Sequence, residues 1–365
     1  MTPTDTMIMD ALRTVDDPDL HRDLVSLNMV KAVEITDSDV RIGIELTTPA
    51  CPMKDRIRSD IVAAVTAAAG SAGATLGKVT VDFTADVRRP NEKTQDKPSP
   101  LPDVKHVIAV GAGKGGVGKS TVAVNLAVGL ARHGATVGLL DGDIYGPSLT
   151  TMLGLDDVAG RMQGNMLMPF EVHGLKAMTI GKLVDPEKAL IWRGPMAHGA
   201  FKQLATQTEW GPLDYLVIDL PPGTGDVPLT LAQLLPLTGA VIVCTPQKVA
   251  QDDARRAVRM FQQLGVEILG VVENMSYFIG DDGKEYDLFG RGGAELLAQA
   301  MNTPFLGPLP INMDLRRNAD AGTPLANWDS EPLASELDRL VQNLAAQISI
   351  ASMSGRLVQP TLSVT

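Results

Sequence analysis

Residues 113–120 read Gly-Lys-Gly-Gly-Val-Gly-Lys-Ser, and no other stretch restricts what this chain can fold into so tightly. The string fits G-x-x-x-x-G-K-[ST], the loop whose backbone N–H groups cradle phosphates. Val107–Val110 before it is apolar and has strand character. Thr121–Arg132 after it carries apolar residues at helical spacing (Val124, Val128, Ala131). Strand, glycine loop and helix form the setting that turns a motif match into a site. The glycines let the backbone curl so that successive N–H groups point inward. The helix N-terminus adds partial positive charge. Lys119 is placed to reach the β- and γ-phosphates and Ser120 to hold Mg²⁺. Gly113, Lys114, Gly115, Gly116, Val117, Gly118 and Thr121 complete the expected cradle for ATP or ADP. Lys114 is not needed to build the loop; it adds a second positive charge beside the phosphates.

Charge and cysteine usage narrow the partners. The 365 residues carry 43 acidic against 32 basic side chains, a net charge of −11. A sequence-independent nucleic-acid binder needs a basic face, so no nucleic acid is expected. No apolar run reaches the roughly 18 residues of a membrane span, and no membrane partner is expected. Met1–Asp10 is polar and acidic, unlike a signal peptide. Cys51 and Cys244 are the two cysteines and lie far apart, so no disulfide framework is indicated. A reducing, cytoplasmic setting is the simplest expectation.

Arg88–Asp103 holds four prolines among polar groups and reads as an extended linker. The expected division is a small α+β domain over 1–87, a linker over 88–104, a nucleotide-binding domain over 105–350 and a loose tail over 351–365. In the first part, helices are expected at Thr4–Thr14 and Lys54–Ala69. Strands are expected at Val30–Ile35, Val40–Leu46 and Lys78–Phe83. In the large part, strands are expected at Val107–Gly111, Thr136–Asp141, Tyr215–Asp219, Ala240–Thr245, Ile268–Glu273 and Phe305–Pro308. Several are apolar throughout, as strands buried on both faces of a parallel sheet are. The fold class that follows is α/β, a doubly wound, mainly parallel sheet whose ligands bind beyond the carboxyl ends of its strands.

Carboxylates fall at those ends. Val137–Asp141 runs into Asp141-Gly-Asp143-Ile-Tyr-Gly-Pro-Ser148, a loop able to move with phosphate state. Asp143 is assigned to the attacking water and Asp141 to the Mg²⁺ shell. Leu216-Val-Ile-Asp219 ends in Leu-Pro-Pro-Gly223-Thr-Gly-Asp226, the Walker-B arrangement. Asp219 is expected to accept hydrogen bonds from Mg²⁺-bound water, and the Gly223 N–H to sense the γ-phosphate. Asp226 has the plainer alternative of a helix N-cap. Asn274, after Ile268–Glu273, is placed where its amide could both donate to and accept from adenine; supporting a loop is the competing reading. Phosphoryl transfer at such a site is positioning and charge neutralisation.

These segments together resemble the Mrp/ApbC family of iron–sulfur cluster carrier ATPases over about residues 105–348. They share the deviant phosphate loop of the MinD/ParA/nitrogenase-iron-protein class. The resemblance implies a homodimer through the nucleotide face, with Lys114 crossing to the partner's nucleotide. It also implies a slow, partner-stimulated ATPase that works with iron–sulfur assembly proteins and apoprotein clients. Asp17-Pro-Asp-Leu and Thr47-Thr-Pro-Ala-Cys51-Pro resemble the signatures of the small MIP18-type domain often fused to that family.

The chain departs from the family at one place. The family's Cys-x-x-Cys, which holds a 4Fe–4S cluster across the dimer, falls by spacing on Gly280 and Gly283. Thiolates are the usual cluster ligands, so these positions offer none. Cys244 reads as a buried strand residue. Cys51 precedes a helix whose dipole is expected to lower its thiol pKa, which makes it a possible ligand beside a structural role. His198 and Trp192-Arg193 look like interface features without assigned chemistry, and His21 and His173 read as ordinary polar residues. Two alternatives stay open: a ParA/MinD-like dimerisation switch, and a non-enzymatic assembly scaffold.

Overall fold

The computed structural model describes residues 2–89, 99–182, 194–280 and 282–353. Most of the expected linker, Trp192 and Arg193, and the tail beyond Met353 lie outside them. The chain divides into two compact units, Met1–Arg88 and Arg89–Thr365.

The first unit is α+β. Its helix Asp5–Leu12 starts where the Thr4 hydroxyl accepts the Met7 N–H, at 3.3 Å. Val30–Thr36 and Asp39–Leu46 pair antiparallel, and Val79–Ala85 joins Asp39–Leu46 in parallel. Val40, Ile42, Ile44 and Leu46 alternate inward along the central strand, the two-residue period of a one-sided sheet. Helix Lys54–Ser71 buries Ile57, Ile61, Val65 and Ala69, four residues apart on one stripe. Ile57, Ile61 and Val65 each contribute about 1.5–3 kcal/mol when fully buried.

The second unit is built on eight strands: β1 (Val104–Gly111), β2 (Val137–Asp141), β3 (Phe170–Val172), β4 (Leu175–Met178), β5 (Leu213–Asp219), β6 (Gly239–Cys244), β7 (Ile268–Glu273) and β8 (Phe305–Pro308). Their order across the sheet is β3-β4-β2-β5-β1-β6-β7-β8. All neighbours are parallel except the β3–β4 edge pair. Every residue of β2, β6 and β7 is buried, as the unbroken apolar runs require. Short β3 and β4 have no counterpart in the sequence reading; Glu171 and Lys176 interrupt the apolar run in each.

Five helices matter for the site: α1 (Lys119–Arg132), α2 (Asp226–Leu234), α3 (Lys248–Gln263), α4 (Gly293–Met301) and α5 (Leu333–Met353). From β1 the chain crosses to β2 on one side and later to β6 on the other. The crevice beyond the carboxyl end of β1 is therefore the topological switch point, where ligands of such sheets bind. Gly111, Asp141, Asp219, Cys244 and Glu273 all end strands at that edge.

Candidate nucleotide site

The glycine loop joins β1 to α1, and two of its glycines have backbone angles that other residues adopt only under strain. Gly116 has φ +80° and Gly118, the residue preceding α1, φ +83°. A side chain on Gly118 would also meet the Asn274 amide nitrogen at 2.1 Å. Gly113 is required for a different reason: its Cβ would stand 2.2 Å from the carbonyl of Asp253 on α3. Gly116 opens onto free space, and a Cβ on Gly115 would meet only Pro222 Cγ, at an ordinary 3.9 Å. The loop is thus pinned at both ends and clear in the middle. Lys114 is half-buried and takes part in no ion pair among the described residues.

Lys119 folds back under the loop. Its Nζ lies 2.5 Å from Asp219 Oδ1 and 3.4 Å from Ser120 Oγ. The lysine side chain is 6 % exposed and the aspartate 0 %. Burial pushes the Asp219 carboxyl above its usual range, and the Lys119 ammonium pulls it back. Oδ2 of Asp219 is buried and has no hydrogen-bond partner among the described residues.

Asp141 pairs in register with Asp219 on the neighbouring strand. Its Oδ1 accepts the Asp143 N–H at 3.2 Å. Its Oδ2 accepts the Leu149 N–H at 3.2 Å and the Thr179 hydroxyl at 3.0 Å. Burial, then repulsion from Asp219, raises Asp141 to about 7. The expectation placed Asp141 in a Mg²⁺ shell; in this structure its carboxylate also anchors the 142–149 loop through Asp143 and Leu149 and is itself held by Thr179. Thr179, which completes that anchor, escaped the sequence reading because it follows the short strand β4. Asp143 is half-buried on the loop, its carboxyl raised first by burial.

Two further groups expected at the nucleotide are engaged across the fold in this structure. The Gly223 N–H, assigned to a γ-phosphate, donates to Ala112 O at 2.9 Å. The Asn274 amide, assigned to adenine, donates Nδ2 to Val117 O at 2.8 Å and is 4 % exposed. Its place directly after β7 puts it beneath the phosphate loop. Thr121 sits in the first turn of α1, where its carbonyl accepts the Asn125 amide at 2.8 Å.

The two cysteines belong to different units. Cys244 is buried in β6, its thiol raised to about 12 by burial and then by Glu273. Cys51 belongs to the other unit. The expected dipole effect is reversed: burial, opposed by the Met53 N–H but reinforced by Asp17 and Asp19, raises its thiol to about 11. The helix begins only at Lys54, three residues on, too far for its first turn to win. Gly280 and Gly283 form the turn of a hairpin, with the Gly280 N–H on Lys284 O and the Gly283 N–H on Gly280 O, both at 2.9 Å. Gly283 has φ +74°, and a Cβ on Gly280 would meet the Tyr286 ring at 2.8 Å. That turn is shaped for glycine, not for a pair of thiolates. No group of three or more His, Cys, Asp or Glu side chains among the described residues could hold a metal ion. His173 Nε2 lies 3.1 Å from Leu153 O. His21 lines a cavity of about 580 Å³ in the first unit with Asp16, Asp17, Arg56 and Asp60. The buried Nε2 of His198 has no hydrogen-bond partner among the described residues, and nothing in the structure explains it.

Comparison with known proteins identifies the family. Residues 103–348 match the family model described as NUBPL iron-transfer P-loop NTPase, and residues 5–76 match that of iron–sulfur cluster assembly proteins. An iron–sulfur cluster carrier protein of Synechocystis sp. is 46% identical over 360 residues, 97% of this chain and 100% of its own length. One from Deinococcus radiodurans is 47% identical over 352 residues, 95% of this chain and 96% of its own. Among solved structures, a nucleotide-binding protein from Archaeoglobus fulgidus in complex with ADP is similar at 39% identity and a TM-score of 0.56. The match covers 62% of this chain and 89% of that one.

Proposed function

The chain belongs to the family of iron-transfer P-loop NTPases, and from that membership we propose that it binds and hydrolyses ATP to carry iron–sulfur clusters to apoproteins. The observation that carries the nucleotide half is the buried Lys119–Asp219 pair under an open glycine loop. Before nucleotide arrives, Asp219 neutralises the lysine. A triphosphate offers the ammonium a stronger anionic partner, and Asp219 is then released. Mg²⁺ fits the vacated carboxylate: Asp219 Oδ2 already lacks a partner, and the Ser120 hydroxyl lies beside Lys119. The ion's contribution would be to neutralise charge on the phosphates.

Asp141, itself held by Thr179, grips the 142–149 loop by two hydrogen bonds and so sets where Asp143 stands; Asp143 orients the attacking water. Gly223 gives up its bond to Ala112 O to reach a γ-phosphate, which makes residues 220–225 responsive to nucleotide state. Lys114, with no ion pair of its own among the described residues, completes the site of a second copy in a homodimer through the nucleotide face. Asp143→Ala tests this reading: turnover is lost while ATP binding is kept, and unchanged hydrolysis would remove Asp143 from its role.

The cluster is cargo, and residues 280 and 283 supply no ligand for it. Delivery in this chain therefore relies on thiolates from Cys51 or from assembly partners and clients. Anaerobic reconstitution with iron and sulfide decides between them. A four-iron absorbance lost in Cys51→Ser assigns ligation to the first unit. Absorbance that appears only with a partner or client present assigns it outside the chain.

A further inference from the structure

Residues 275–292 leave the sheet after β7 and return to begin α4, and both ends of this excursion close on one buried carboxylate. Glu273 is 1 % exposed. Its Oε1 accepts the Ser276 hydroxyl at 2.6 Å and the Gly292 N–H at 2.8 Å; its Oε2 accepts the Ala294 N–H at 2.7 Å. The next residue, Asn274, donates to Val117 O, and its amide fills the space where a side chain on Gly118 would stand. Met275 follows with φ +58°, the left-handed region, which a residue with a side chain enters only under strain. Three consecutive residues thus hold the phosphate loop on one side and the base of the excursion on the other.

Little slack exists between those two grips. The Asn274 N–H is bound to Cys244 O and the Ser276 N–H to Leu309 O, both at 2.9 Å. Val117 is thereby joined to the base of the excursion by a short run of contacts: Asn274 to Val117 O, then Met275, then the Ser276–Glu273 bond. Beyond that base, the excursion forms the hairpin Phe278–Ile279 with Glu285–Tyr286. Among the described residues, Asp282 pairs with Lys284 and Glu285 with Arg291. Tyr286, Leu288 and Phe289 stand 44, 58 and 43 % exposed.

We infer that Glu273–Met275 couples the phosphate loop to this hairpin, so that the nucleotide state sets the conformation of the exposed Tyr286–Phe289 segment. Asn274 is a positioning residue in this scheme: it acts through Val117 and touches no phosphate. The inference rests on the nucleotide-binding reading above and goes beyond it by assigning the output element. By linkage, whatever changes the hairpin's conformation changes nucleotide affinity by the same factor. The physical warrant is a strained element gripped from both sides, not proximity alone.

Hydrogen exchange of the full chain, with and without saturating Mg–ADP, tests it. In the wild type, exchange slows in residues 112–121 and changes by about fivefold or more in residues 282–290. Asn274→Ala keeps the protection of 112–121 and loses the change in 282–290. Ser276→Ala, which leaves every contact of the phosphate loop in place, weakens that change as well, and it decides alone should Asn274→Ala fail to fold. Protection of 112–121 with no response at 282–290, or a full response in either variant, overturns the coupling. No protection of 112–121 would sink the nucleotide-binding reading itself, and the coupling with it.

Discussion

Lys119 and Asp219, 100 positions apart in the chain, meet as an ion pair shut away from solvent, with Nζ 2.5 Å from Oδ1. Desolvating two charges costs several kcal/mol per ion, which only their mutual attraction offsets. Removing one partner therefore does more harm than removing both. Lys119→Ala leaves Asp219 uncompensated beside Asp141 and is expected to cost about 3–5 kcal/mol of folding stability. Lys119→Met combined with Asp219→Leu should cost clearly less than the two single changes added together. Urea unfolding of the two single variants and the double variant measures the difference; strict additivity would mean that the two side chains do not interact.

Gly116 and Gly118 share nearly the same backbone angle but not the same surroundings. Gly116→Ala meets open space and should cost only the left-handed penalty, roughly 1–2 kcal/mol. Gly118→Ala adds a collision with the Asn274 amide and should cost more, with nucleotide binding lost as the loop shifts. Equal destabilisation of the two variants in thermal unfolding would contradict the packing described between Asn274 and the loop.

Cys51 should be a sluggish nucleophile. Its folded pKa of about 11 lies above the ordinary thiol value, so the neutral form is favoured in the native state. The stability this contributes is fully present below the ordinary thiol pKa and is lost as pH rises through about 11. Each pKa unit is a tenfold change in thiolate, so at pH ~8 iodoacetamide should label native Cys51 on the order of 100-fold more slowly than the urea-unfolded chain. Labelling should accelerate as pH approaches the folded value. Labelling at the same rate in both states would show that Asp17, Asp19 and burial do not act on the thiol as described.

Which features could be read in advance follows from the range of the forces involved. The buried strands announce themselves because Val107–Gly111 and Ile268–Glu273 are apolar without interruption, and the phosphate loop because its chemistry is local. The parallel sheet and the placing of Asp141 and Asp219 at its edge follow from those alone. Pairings across the fold do not. The Gly223–Ala112 and Asn274–Val117 hydrogen bonds join segments with no shared sequence pattern. They divert two groups that residue type alone would assign to nucleotide. Cys51 misleads for the same reason: the sequence shows a nearby helix, whereas Asp17 and Asp19 reach it only through the fold. The β3–β4 edge pair, and Thr179 behind it, do not signal themselves because a charged residue, Glu171 or Lys176, breaks each short apolar run.

Calorimetric titration of the intact chain with ATP, with and without Mg²⁺, tests the central claim most directly. The account predicts saturable uptake that is strengthened by Mg²⁺ in the wild type and abolished in Lys119→Ala. Uptake that persists undiminished in Lys119→Ala, or no uptake by the wild type at all, would contradict it.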